Sequence, residues 1–223
     1  DKTRDSDNGI LRPYKRLMAD ILASKGGLDG ALTAADRLYQ ALTSRGHRVA
    51  IAPSGMYMRR AEVDLREEAR KNHYQRTSWS PERPTVAYIG DVPIGLTLFE
   101  MTEMVEMMYV GNSKYAPVSS LTAEQRRRMT SPHYWTTQQD HPSGRLRLQV
   151  SCTSQRVAWS KQWSETKPAQ HLSLIPGIVQ ELEDAGPMLA GKIEAARIEA
   201  EERHRQWEEE DRRRREAEAR ARQ

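Results

Sequence analysis

Apolar residues recur along this chain first every three to four positions and later every second, and the change between these periods outlines the fold. After a polar start, Pro13 followed by Leu17, Met18, Ile21 and Leu22 predicts a first helix to about Ser24, since proline loses nothing in a first helical turn. Leu28, Leu32, Ala35, Leu38, Tyr39 and Leu42 predict a second helix, which Gly46 terminates in the left-handed conformation. The run from Arg48 to Ala52 reads as a strand stopped by Pro53. Residues 53–84 are rich in charge and turn formers without a sustained period, and predict a long mobile excursion.

From Thr85 the pattern alternates. Val86 and Tyr88, the Gly90-Asp91 turn, and Ile94, Leu96 and Leu98 predict a hairpin. Its second arm runs on to Val110, although Met101, Met104, Val105, Met107 and Met108 also fit a helix; we read strand, returning after Gly111-Asn112 through Tyr115 and Val118. A short helix from Leu121 to Met129 is capped by Thr122, and a further hairpin turns at Pro142-Ser143-Gly144. After Trp159 and Trp163, a helix with Leu172, Ile175, Ile178, Val179 and Leu182 on one face is interrupted by Pro176, ends near Gly186-Pro187, and covers the sheet. The fold class is α+β, a mainly antiparallel sheet covered by helices. Three parts follow: a disordered start (1–9), an α+β domain (10–186), and an extended charged helix (187–223).

In the last part acidic residues precede basic ones by four, as at Glu199/Arg203, Glu208/Arg212 and Asp211/Arg215, the favoured orientation of a helical ion pair. Eight such pairs at about 0.2–0.5 kcal/mol each hold a helix in solvent without an apolar stripe. Leu189, Ile193 and Trp207 fall at coiled-coil spacing and are the candidate seam of a homodimer.

Composition narrows the setting. The 223 residues carry 35 basic and 31 acidic side chains, a net charge of +4, and these interleave rather than forming one basic face, which weakens a duplex-binding reading. One cysteine, Cys152, excludes an intrachain disulfide; with no apolar run of membrane length and no signal-like start, the expected location is cytoplasmic, with no membrane partner.

Phosphate-binding and dinucleotide glycine loops and the serine-esterase elbow are absent, so no cofactor is expected. The six histidines show no metal-ligand spacing; His133 and His141 flank a strand and are acid/base candidates or ordinary loop histidines. Glu100 and Glu103, with Glu106, Asp64 and Glu62, are the carboxylates a two-metal nuclease would gather. The glutamates better suit the solvated face of an element whose other face is Met and Val, and no lysine is placed by spacing beside them as a nuclease would want. Arg70, Lys71 and Arg76, and Arg126, Arg127 and Arg128 before Tyr134 and Trp135, mix cations with aromatics, as a nucleic-acid surface does for phosphate and base, and a solvated loop and a solvated helix face explain the two clusters equally well.

Arg12–Leu17, Arg45–Pro53, Pro84–Gly90, Ile94–Glu100, Ser143–Leu148, Trp163–Lys167 and the Arg/Glu tail together resemble an uncharacterised bacterial protein family, over most of the chain. The resemblance implies an N-terminal helix-turn-helix segment, not found among these residues, and hence a DNA-associated role without DNA-reading residues to carry over. The expected function is a non-enzymatic interaction or regulatory domain of a bacterial DNA-associated protein, serving a mobile element or host defence, with DNA and a second copy of the chain as expected partners. The alternative is a metal-dependent hydrolase, a nuclease using Asp64, Glu100 or Glu103.

Overall fold

The computed structural model describes residues 3–5, 9–68, 79–111, 114–128, 135–168 and 170–222. Its organising element is one long strand, β6 (Val92–Gly111), whose partner along one edge is β8 (Thr136–Cys152), antiparallel from Ile94↔Cys152 to Met108↔Thr136. The opposite edge is shared in turn by β5 (Thr85–Ile89), antiparallel, by β3 (Ile21–Leu22), parallel, by an isolated bridge at Arg66, and by β7 (Lys114–Pro117), antiparallel. With β4 (Arg48–Ile51) beyond β5 and β9 (Ser160–Ser164) beyond β8, this makes a seven-stranded, mostly antiparallel sheet. A separate ribbon pairs β1 (Thr3–Asp5) with β2 (Leu11–Pro13).

Strand alternation gives the sheet two apolar faces. Ile94, Leu96 and Leu98 of β6 meet Leu148, Val150 and Cys152 of β8 under two helices, α1 (Leu28–Ser44) and α3 (His171–Ala221). The other face buries Phe99 and Met101 against Ile10, Leu22, Val63, Leu65 and Trp79. Two hairpin turns follow the reading from sequence: Gly90 and Gly111 both take the positive φ that tight turns require.

Four elements differ from expectation. Residues 13–24 form no helix: they turn through β2 and β3, because Leu98 N donates to Asp20 O at 3.0 Å and the two apolar residues Ile21 and Leu22 pair with β6 instead of lining a helical stripe. The segment 53–68 is irregular yet packed, not an excursion. Met58, Val63 and Leu65 are buried, Arg59 N donates to Thr153 O at 2.8 Å, and Gln149 Nε2 donates to Glu62 O at 2.9 Å. Pro142-Ser143-Gly144 is no hairpin turn. It bulges a continuous strand, since β6 has one residue between Glu100 and Thr102 where β8 has three between Leu146 and Pro142. Finally, α3 does not end at Gly186-Pro187 but continues through both, with Pro176 and Pro187 inside it. Gly186 serves packing: a Cβ there would stand 2.7 Å from Ile89 Cγ2, so glycine lets α3 approach β5, and Leu189, one turn further, is fully buried on the same face.

A buried polar knot ties the layers. Asp20, fully buried, accepts two hydrogen bonds from the Arg60 guanidinium at 2.6 and 2.9 Å and one from Thr97 Oγ1 at 2.8 Å. Burial, with the Asp20 charge nearby, pushes the Tyr39 phenol well above its ordinary pKa.

Candidate functional site

The three carboxylates proposed for metal chemistry sit in three separate settings. Asp64 is paired with Arg66, whose Nη2 lies 2.6 Å from Oδ2; burial pushes the Asp64 carboxyl up, but the Arg66 hydrogen bonds and charge outweigh this and hold it below its ordinary value. Glu103 is paired with Arg145 at 3.0 Å, and the same guanidinium takes Glu67 at 2.7 Å, which lowers the Glu67 pKa. Glu100 is 2% exposed and accepts one backbone N–H on each oxygen, from Ser24 at 2.7 Å and Gly144 at 2.9 Å. Among the described residues no group of three or more His, Cys, Asp or Glu is placed to hold a metal ion.

Arg70, Lys71 and Arg76, together with His133 and Tyr134, lie outside the described residues. Arg126 and Arg127 are exposed on α2 (Ala123–Arg128), whose last residue is Arg128. This helix starts as predicted. Thr122 Oγ1 accepts from Gln125 N at 3.2 Å, while Gln125 Oε1 accepts from Thr122 N at 2.8 Å, a reciprocal capping box. Arg126 reaches back to Val118 O at 3.1 Å, which fixes α2 beside the end of β7.

The far end of the β6–β8 ladder carries an aromatic group of which the sequence singles out Trp135 but not its stacking partner Tyr109. Tyr109 on β6 is stacked on Trp135 at the entrance to β8, with centroids 4.5 Å apart and planes 9° apart, and meets Tyr115 of β7 edge-on at 5.5 Å. Trp135 N-terminal to β8 is fixed by its carbonyl, which accepts from Tyr109 N at 3.1 Å, yet the residue is 51% exposed. Tyr109 and Tyr115 are brought opposite each other by the β6–β7 register, and Gly111 between them was the available signal.

A cavity of about 900 Å³ opens on the helix-covered side, between the N-terminus of α1, the β8 bulge and the segment leading to α3. Its wall includes Ser24, Gly27, Gly30, Glu100, His141 and Glu165. Glu100, Leu146 and Glu165 form a row across three chain segments: Glu100 is opposite Leu146, and Leu146 N donates to Glu165 Oε2 at 2.8 Å. Glu165 is 2% exposed. A Cβ at Gly27 would lie 2.3 Å from Glu100 Oε2, so any side chain there would displace the Glu100 carboxylate.

The tail positions divide. Leu189 is fully buried in its own domain's core and Ile193 packs against that core, whereas Trp207 is 59% exposed and stacks with His204. Beyond Ala196, Glu199–Arg203 at 3.7 Å and Asp211–Arg215 at 2.7 Å are among the ion pairs that line α3. No helix among the described residues is long and apolar enough to cross a membrane. No family model, no curated protein and no solved structure matches the chain.

Proposed function

We propose that this chain is a non-enzymatic interaction or regulatory domain of a bacterial DNA-associated protein, and that it touches a single-stranded stretch of DNA at the tip where β6, β7 and β8 meet. The observation that carries this reading is Trp135, half exposed and already stacked on Tyr109 at the end of the β6–β8 ladder; the exposed Arg126 and Arg127 lie on α2, which follows β7 and is tied to Val118 O. A pre-stacked indole offers a flat face to a base without sequence preference, and neighbouring guanidiniums meet the backbone phosphates on either side. The resemblance to a family with a helix-turn-helix segment supports the association with DNA, cytoplasmic and in the setting of a mobile element or defence system.

Hydrolysis is less well supported. Asp64 and Glu103 are each committed to an arginine, and Glu100 is turned inward against backbone amides. The test is fluorescence anisotropy of labelled single-stranded and duplex DNA over a salt series with magnesium present, the DNA being recovered afterwards on a gel. The proposal expects intact DNA, preference for the single strand, and a salt slope that becomes shallower in the R126A/R127A double variant. Cleavage would restore the hydrolase reading, and salt-independent or absent binding would remove the DNA contact from this chain.

A further inference from the structure

The cavity beneath α1 belongs to neither the arm tip nor the carboxylate set as a nuclease would use it, and its wall has a definite chemistry. Glu100 is almost wholly buried, and its hydrogen bonds are the two backbone N–H groups of Ser24 and Gly144; no cationic side chain among the described residues is paired with it. A carboxylate has roughly four acceptor positions, so about half of this one's capacity remains. Withdrawing a carboxylate from water without a counter-charge is costly, and a ligand that brings a cation relieves that cost.

The remaining charges agree. Glu165 and Asp29 add negative groups to the same wall, whose other titratable residues are Lys25 and His141. The N-terminus of α1 would by itself favour an anion, but Glu100 already provides one there, lying directly under Gly27 and bonded to Ser24 N. Much of the rest is glycine, proline, Ala34 and Leu146, which offers shape and apolar contact without hydrogen-bonding demands. The volume suits a small organic molecule rather than a bare ion.

We infer that this cavity binds a small organic cation, an aliphatic or arylalkyl ammonium or guanidinium, whose charged end sits against Glu100 and whose apolar portion lies along Ala34, Leu146 and Pro168. The assignment is independent of the DNA contact at the arm tip.

The experiment uses a matched series on the full chain: 4-phenylbutylamine, 4-phenylbutylguanidine, 4-phenylbutanol and 4-phenylbutyrate, titrated while the backbone amides of Gly27, Gly30 and Gly144 are followed by NMR. Both cations are expected to shift these amides saturably and at least tenfold more tightly than the alcohol or the acid, and E100Q is expected to erase that preference. Because E100Q replaces an acceptor by a donor beside a backbone N–H and risks the fold, a second variant, G30L, is included. A Cβ at Gly30 meets nothing within 4 Å, so leucine fills the cavity without a clash at its root and favours the helix. G30L should keep or raise the melting temperature while abolishing the shifts. Equal or tighter binding of the alcohol or the acid would overturn the cation assignment. Absence of saturable shifts with every member, or shifts that persist unchanged in G30L, would overturn the cavity as the ligand site.

Discussion

The two halves of the β6–β8 ladder are built from the same two strands in the same antiparallel pairing, yet they do different work. From Val92 to Met101 every second residue enters one of two cores, and nine of these ten positions are buried, Pro93 being the exception. From Glu103 to Gly111 the strand is mostly exposed or half-buried, with Met107 as its buried residue. Backbone pairing continues across both, but continuous side-chain burial on β6 ends at Thr102, just past the bulge opposite Met101. A ladder alone keeps the far half in register, and the side chains there are released from packing. That is where Tyr109, Tyr115 and Trp135 gather, and it is the half at which we propose a contact with DNA.

The sharpest way to break this division is in the near half. R60A leaves Asp20 fully buried without its counter-ion, and is expected to cost about 3–5 kcal/mol, measured as a lowered denaturation midpoint; a loss below about 1 kcal/mol would show the knot to be ornamental. Next is G186A, where the added methyl meets Ile89 Cγ2 at 2.7 Å. Overpacking of about 1–3 kcal/mol should outweigh the roughly 1 kcal/mol that alanine gives a helix, so the melting temperature falls. A rise would mean that α3 does not rest on β5 as described.

Substitutions in the far half should touch stability less. T122A removes one arm of the capping box and is expected to cost about 0.5–2 kcal/mol of local helix stability, read as faster amide exchange in α2 with the global midpoint unchanged. The smallest effect lies at the boundary, where Arg145 holds the half-exposed Glu67 below its ordinary pKa. A carboxylate depressed in the folded state stabilises fully above its unfolded pKa and loses that contribution as pH falls through the folded value. Stability should therefore decline through the acid range less steeply in E67Q than in the parent, by no more than about 1 kcal/mol for a pair whose carboxylate is half exposed.

What the sequence made legible was local. The alternation from Thr85 to Val110, the stripe of α1, the Thr122 cap and the charge-paired tail all depend on residues a few positions apart, where periodicity and capping operate directly. The missed features depend on long-range partners. Asp20 to Leu22 follow β6 rather than their own helical spacing, and Gly186 looks like a stop because its use, close approach to Ile89, is invisible without the sheet. The candidate sites follow the same rule. Trp135 was named from sequence, but Tyr109 and Tyr115 join it only through strand register. Glu100 was read as a surface or metal carboxylate, though its place in an otherwise buried run from Ile94 to Met101 was a sign that it turns inward. Glu165, which meets it across Leu146, gave no local sign at all.

The measurement closest to the central claim is the affinity of W135A for single-stranded DNA, set beside its melting temperature. Loss of one stacking platform is worth about 1–3 kcal/mol, so a fall in affinity of roughly 5- to 150-fold at an unchanged melting temperature is the predicted result. Parent-like affinity would contradict the assignment of function to the far half of the ladder, and an equally large loss of stability would contradict its separation from the fold.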